Sequence, residues 1–392
     1  MDNIALKTVQ NLIDLEGLVS NDLRLKSRFP NLDDSLNEQK IDLAYEEICS
    51  WPNYSLTPIA ELSDLAKFCG VGKIFYKDES ARLGLGSFKA LGGAYAVKRV
   101  AKNYSLLGNE IKELVVTTAS AGNHGRSVAW GAKQVGCSAK IYIHSGVSRA
   151  RADAMAKFGA EIIRIDGNYD EALAECIKAA RENSWELVSD TSWAGYEDVP
   201  LDIMSGYGVL MREALEQMGS VKPTHLFLPA GCGGLAAGLI SFLWREMNEN
   251  LCELISVESS HSSCILESIK AKRPVFVDIK EETTMVGLSC GEVSEQAWKI
   301  LSKTLSHSVS ISDKAVAPLM KLFLDGKCGG GSIEAGECAT SGAASLLAIC
   351  KEKKLKKEIN LDEGSIVLLI GTEGATDIEA YNELISKGSL VV

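Results

Sequence analysis

Three short runs hold residues whose types and order could do chemistry. The first is GLGSFKALGGAYAV, residues 84–97, where Lys89 sits between a glycine-serine turn and a helix-forming run. A lysine held there, deprotonated by its site, could form a Schiff base with a carbonyl. The second is SAGNHG, residues 120–125. Ser120 can cap the helix that follows, Asn123 offers a donor and an acceptor, and the free N–H groups of a helix start suit a carboxylate. His124 reads first as a packed polar residue and second as a base. The third is PAGCGGLAAG, residues 229–238. Gly231, Gly233 and Gly234 let the backbone approach a ligand where a helix start presents N–H groups to an anion, which makes a phosphate cradle. The run lacks the Lys-Ser/Thr ending of a nucleoside-triphosphate loop. It also misses the dinucleotide spacing, because position 236 is not glycine and Glu258 is the nearest candidate for the ribose-binding acid, which disfavours a nicotinamide dehydrogenase. Lysine, anion loop and cradle together match pyridoxal phosphate, which supplies both a carbonyl and a phosphate.

The elements that must position these runs follow from periodicity. Short apolar runs (KIFYKD, ELVVTTAS, AKIYIHS, AEIIRID, ELVSD, HLFLPAG, ELISVES and, near the end, SIVLLIG) alternate with helical windows. Those windows cover 88–100, 123–135, 148–158, 169–183, about 201–218 and 235–247. This alternation predicts an α/β protein with mainly parallel sheets, whose ligands bind beyond the carboxyl ends of the strands. The segments just after the strands are DES, SAGNHG, SDTSW, PAGCGG, ESSH and GTEGATD, a polar and glycine-rich set that faces one cleft if the strands are parallel. The first seventy residues are less periodic; they carry RFP, WPNYSLTP and two helical windows, and are expected to wrap the larger domain.

A chain of 392 residues predicts two domains, and 46% apolar residues suffice for a large core. A net charge of −11 without a Lys/Arg-dense run excludes a nucleic-acid surface. The longest apolar runs are far short of a membrane span, and MDNIALKTVQ carries no secretory pattern. Eleven scattered cysteines without a C-x-x-C pair read as reduced cytosolic thiols, neither a disulfide frame nor a zinc site; Cys264 and Cys290 flank a loop region and read first as two buried thiols, a bond between them being the alternative.

SFK at 87–89, SAGNH at 120–124 and GCGGL at 231–235, in that order, resemble the tryptophan-synthase-β-like (fold type II) pyridoxal-phosphate enzymes. Longer runs are similar to the diaminopropionate ammonia-lyases: WPNYSLTPI, KDESARLGLGSFKALGGAYA, GNHGRSVAW, SDTSWAGYEDVP, IMSGY, MVGLSCGE and GTEGATD. The resemblance spans about 27 to 380 and implies two α/β domains with twisted, mainly parallel sheets. Residues 1–90 and 220–392 would form the large cofactor-binding domain and 91–219 a small inserted one. It implies a homodimer in the cytoplasm that acts on a small amino acid. It makes Lys89 the Schiff-base lysine and the base for the Cα proton, and Asp190 the acid that serves the leaving amine. Asn123 would meet the cofactor's 3′-oxygen, and Gly231, Cys232, Gly233, Gly234 and Leu235 its phosphate. Ser120, Ala121, Gly122, Asn123 and His124 would hold the substrate carboxylate. Thr372 would face the pyridine nitrogen, a role that in related enzymes can fall to the preceding position, here Gly371.

The implied activity is α,β-elimination on L-2,3-diaminopropionate to give pyruvate and ammonia, with the pKa of Lys89 lowered by its site. One departure bears on it: Ala121 stands where the family usually carries an aspartate, the base for the D-isomer, so L-specificity is expected. The same departure keeps open an L-serine/L-threonine dehydratase, or a lyase on another small β-substituted amino acid. A non-catalytic cofactor- or amino-acid-binding protein is the reading from a different class. GSIEAGECATSGAA is longer than the family's equivalent, which bears on contacts near Glu337, and the few residues after GTEGATD predict no appended regulatory domain.

Overall fold

The computed structural model describes residues 2–25, 36, 38–247 and 252–392. The expected RFP run at 28–30 lies outside them. Eleven strands occur among the described residues: β1 (Leu15–Ser20), β2 (Ile59–Glu61), β3 (Lys73–Asp78), β4 (Val115–Ala119), β5 (Ser138–His144), β6 (Glu161–Ile165), β7 (Glu186–Leu187), β8 (His225–Pro229), β9 (Glu253–Ser259), β10 (His307–Ile311) and β11 (Ile366–Gly371). They build a seven-stranded sheet in the order β1-β10-β9-β8-β11-β3-β2 and a four-stranded sheet in the order β6-β5-β4-β7. The smaller sheet is wholly parallel. The larger is parallel except at its two edges, where β1 runs against β10 and β2 against β3. This is the expected mainly parallel α/β architecture.

The alternating elements fall close to their expected bounds. KIFYKD is β3, ELISVES is β9, and the helices Asn123–Val135 and Tyr169–Asn183 match residue for residue. The second of these starts at a capping box between Asn168 and Glu171. The helix after SDTSW begins earlier than expected, at Asp198, because Pro200 falls in its first turn, where the missing N–H costs nothing. β10 escapes the sequence pattern because HSVSI is serine-rich yet buried along its whole length. Its Ser308 hydroxyl pairs with Ser256 at 2.6 Å and lies 3.2 Å from Glu258.

Close helix packing explains the glycines after Lys89. A Cβ on Gly92 would lie 2.4 Å from the Tyr207 ring, and one on Gly93 2.6 Å from Ser127 Oγ. The helix Lys89–Leu106 is thereby pressed between Asn123–Val135 and Asp198–Met218. The strand order sets the site. β8, β11 and β3 are neighbours in the large sheet, so the loops after them lie side by side; β4 and β7 are neighbours in the small one.

Candidate active site

Lys89 is placed by the loop after β3. Gly86 adopts a φ of 82°, a left-handed turn conformation that a side chain would strain. The loop after β11 clasps this turn through three backbone bonds. Glu79 N–H donates to Gly371 O at 2.8 Å, Phe88 N–H to Thr372 O at 3.0 Å, and Gly374 N–H to Gly86 O at 3.0 Å. Lys89 therefore opens its helix at a fixed place beside Thr372.

Its amine donates to the Asp190 carboxylate, which the loop after β7 carries. The Asp190 Oδ2 atom also lies 3.9 Å from His124 Nδ1, on the helix that follows β4. The Asp190 carbonyl accepts from the Cys232 thiol at 3.9 Å, and a Cβ on Gly234 would lie 3.6 Å from it. Asp190 thus joins three of the runs singled out in the sequence. The local turn is held by Ser189, whose hydroxyl accepts from Thr191 N–H at 3.4 Å, so the Asp190 side chain is not used as an Asx turn.

The charges in this contact differ from the sequence expectation, which had the site lower the pKa of Lys89. Burial does push the amine down, but the Asp190 carboxylate outweighs it and holds Lys89 well above its ordinary value. Burial pushes Asp190 up, and the charges of Lys89 and His124 override it, leaving the carboxyl below the usual carboxylate range. Without a bound carbonyl compound the pair is therefore an ammonium and a carboxylate. His124 is lowered by burial against the pull of Asp190. Its Nε2 bonds to Val188 O at 2.8 Å and its Nδ1 makes no hydrogen bond, with Asp190 the nearest charge to it, so the ring is packed as expected.

Two helix starts present unpaired donors. Among the described residues, the N–H groups of Gly231, Cys232, Gly233, Gly234 and Leu235 meet no backbone carbonyl, the ordinary state of a helix start that awaits an anion. Gly233 makes that loop possible with a φ of 91°. The N–H groups of Ala121, Asn123 and His124 are likewise free of backbone partners. Ser120 does not cap this helix, as the sequence suggested. The N-cap position is Gly122, and Ser120 Oγ instead accepts from Gly122 N–H at 3.3 Å within the turn.

Thr372 is 2% exposed and its hydroxyl meets no partner at full hydrogen-bond geometry, the buried Glu373 carboxyl being the polar group it acts on. The alternative position, Gly371, cannot carry a hydroxyl, because a Cβ there would lie 2.2 Å from the Tyr76 ring. A lysine amine, a row of N–H donors that no backbone carbonyl takes and a buried hydroxyl suit a group with a carbonyl, a phosphate and a ring nitrogen.

Some singled-out residues lie elsewhere. Glu258 accepts from Ile265 and Leu266 N–H at 2.7 and 2.8 Å and serves the start of the next helix. Glu337 is half-buried, its carboxyl raised by burial, with Arg151 and Asp377 as the charges beside it. Cys264 and Cys290 are free thiols; Cys264 donates to Gly231 O at 3.6 Å, and a Cβ on Gly231 would lie 3.0 Å from Cys290 Sγ. Hydrogen bonding from Cys290 is the main cause that lowers the Cys232 thiol to about 7, against burial. The contact of the Cys232 and Cys290 thiols beside the cradle, and the setting of Tyr207 beside Lys89, are not legible from the sequence. The signal for Tyr207 was its place in IMSGY, together with the paired glycines 92 and 93.

Comparison with known proteins places this arrangement. Residues 51–373 match the family model described as pyridoxal-phosphate dependent enzyme. The diaminopropionate ammonia-lyase of Escherichia coli (strain K12) is 37% identical over 355 residues, covering 86% of this chain and 89% of that protein. The enzyme of the same name from Salmonella typhimurium (strain LT2) is 35% identical over 361 residues, with the same coverage of 86% and 89%. A crystal structure of the Escherichia coli enzyme in complex with D-serine superposes with a TM-score of 0.86 at 35% identity, covering 96% of this chain and 97% of that one.

Proposed function

The chain belongs to the diaminopropionate ammonia-lyases, within the pyridoxal-phosphate-dependent enzymes, and from that premise we propose that it converts L-2,3-diaminopropionate to pyruvate and ammonia by α,β-elimination. Bound pyridoxal phosphate supplies an aldehyde that captures the substrate amine and a ring that draws electrons from Cα. In this reading the N–H groups of Gly231, Cys232, Gly233, Gly234 and Leu235 hold its phosphate. Asn123 meets its 3′-oxygen, and Thr372 offers a neutral hydroxyl to its ring nitrogen. Residues Ser120 to His124 hold the substrate carboxylate.

The observation that carries the reading is the contact of Lys89 with Asp190 where the three loops meet. Lys89 removes the Cα proton as a neutral amine. A neutral Lys89 no longer holds Asp190 ionised, and burial is then free to raise the carboxyl. The proton that the Lys89 ammonium gives up to become that base passes to Asp190, which delivers it to the β-amine as it leaves. At residue 121 the Ala side chain has no group to accept a proton on the opposite face, which supports L-specificity. We further propose a cytoplasmic homodimer, divided into 1–90 with 220–392 and the inserted 91–219. The confinement of the four-stranded sheet to residues 115–187 supports the division, and the free cysteines support a reducing compartment. No described helix is long and apolar enough to cross a membrane.

Pyruvate release from the holoenzyme, offered L- and D-diaminopropionate, L- and D-serine and L-threonine at equal concentration, tests the reading. Rapid release from L-diaminopropionate is expected, with the D-isomer slower by about a hundredfold or more. Faster turnover of L-serine, or 2-oxobutyrate from L-threonine, would move the enzyme to the dehydratases. Equal rates on the two isomers would overturn the role given to Ala121.

A further inference from the structure

Beyond Asp190, Lys89 has a second polar neighbour. Tyr207 stands on the helix Asp198–Met218, its ring lodged where Gly92 leaves room and packed edge-on against Phe88 at 4.9 Å and 64°. The Lys89 amine lies 6.0 Å from the centre of that ring and 5.4 Å from the Phe88 ring. Tyr207 is 1% exposed; its hydroxyl meets no partner at full hydrogen-bond geometry, and the polar donor nearest in effect is the Lys89 amine. A buried hydroxyl left unpaired destabilises the fold, and one held in place by a dedicated glycine calls for an explanation.

We infer that Tyr207 is a positioning residue for Lys89: its hydroxyl oxygen accepts an N–H of the amine once that amine has left Asp190, and turns the nitrogen lone pair toward the substrate Cα. The inference rests on the reading of Lys89 as the Cα base. An ionised Asp190 keeps Lys89 protonated, and an ammonium has no lone pair to offer. A neutral phenol can orient the amine without protonating it. Burial holds the phenol well above its ordinary pKa, and the groups acting on it are Lys89, Asp190 and Cys232. Asp190 in turn is faced by His124, and the charges of Asp190, Cys290, Cys232 and Lys89 also act on Tyr169. During the step the Cα–H bond breaks and an N–H bond forms on Lys89, and Tyr207 transfers no proton.

The test is Tyr207→Phe, which keeps the ring and removes the hydroxyl. Three quantities are read: the melting temperature of the cofactor-free protein, the lysine labelled by borohydride reduction of the holoenzyme, and kcat with KM for the best substrate of the panel above. The variant is expected to melt at or above the wild-type temperature, because the removed group was unpaired, and to label Lys89 as the wild type does. Its kcat should fall about ten- to a hundredfold with KM nearly unchanged. A kcat within about twofold of wild type would overturn the inference, and so would a lowered melting temperature with parallel loss of labelling, which marks a structural role. Labelling of another lysine in the wild type would overturn the reading of Lys89 itself, a separate result.

Discussion

Two assemblies of charge flank the loop after β3, and they are built on opposite rules. In the first, Lys77 and Arg82 face Glu79 and Glu213, all four side chains fully buried. Glu213 accepts from Lys77 at 2.7 Å, from Arg82 at 2.7 and 2.8 Å and from Tyr54 at 2.9 Å. Glu79 accepts from Arg82 at 2.7 and 2.8 Å and from Thr57 at 2.6 Å. Two cations balance two anions, and nearly every donor is matched. In the second assembly, Lys89 and Asp190 are 21% and 22% exposed and have each other, with His124 Nδ1, Tyr207 OH and Thr372 Oγ1 left unpaired around them. A saturated cluster fixes geometry because any movement would break several bonds at once. An unsaturated one keeps capacity for atoms that are not yet there. The difference separates the charge that holds the cleft from the charge that works in it.

The largest break in that comparison is Lys89→Ala. It removes the amine on which both the covalent attachment of the cofactor and the proton transfer depend. Turnover should fall by about a thousandfold or more, and the absorbance of the lysine-bound cofactor should vanish. Pyruvate release at a wild-type rate would end the assignment. The saturated cluster should respond in the other coordinate. Glu213→Gln leaves a buried cation without its partner, at a cost of about 3–5 kcal/mol. A urea titration should show a large drop in midpoint, with a far smaller change in turnover per folded, loaded molecule. An unchanged midpoint would mean that the cluster holds nothing together.

The two assemblies were not equally legible in the sequence. The three chemical runs stood out because glycine, serine and asparagine at strand-to-helix turns have local signatures, and β8, β11 and β3 could be read from apolar runs. Position along the chain said nothing of the contact between Lys89 and Asp190, which are 101 residues apart. The raised pKa of Lys89 in the cofactor-free protein escapes the sequence for the same reason, because burial can be inferred from pattern and a specific counter-charge cannot. Ser120 was read as a cap since its type fits, but the chain turns two residues later. The buried cluster has no local signature: Lys77, Glu79 and Arg82 meet Glu213 only when the fold brings a helix from more than a hundred residues away onto them. β10 was missed because a buried strand rich in serine does not look apolar.

The smallest effect sharpens the comparison most. Asp190→Asn is the counterpart of Glu213→Gln: the same loss of one charge with little change of shape. Because the Lys89–Asp190 pair is about one-fifth exposed and has few other bonds, its removal should cost the cofactor-free protein on the order of 1 kcal/mol. The sign with pH is fixed by the two shifts. The Asp190 pKa is depressed, so its contribution is complete above the unfolded carboxyl value, about 3.9, and is lost as pH falls through the folded one. The Lys89 pKa is raised, so its contribution is complete below about 10.4 and is lost as pH climbs past that value. The stability gap between wild type and variant should therefore be widest between about pH 5 and 9 and close on both sides. Chemical denaturation of the two cofactor-free proteins across that range measures it. A gap as large as that of Glu213→Gln would mean that Asp190 is part of the scaffold. A small gap beside a large fall in turnover would place it with the unsaturated groups, where its free valence is what the reaction uses.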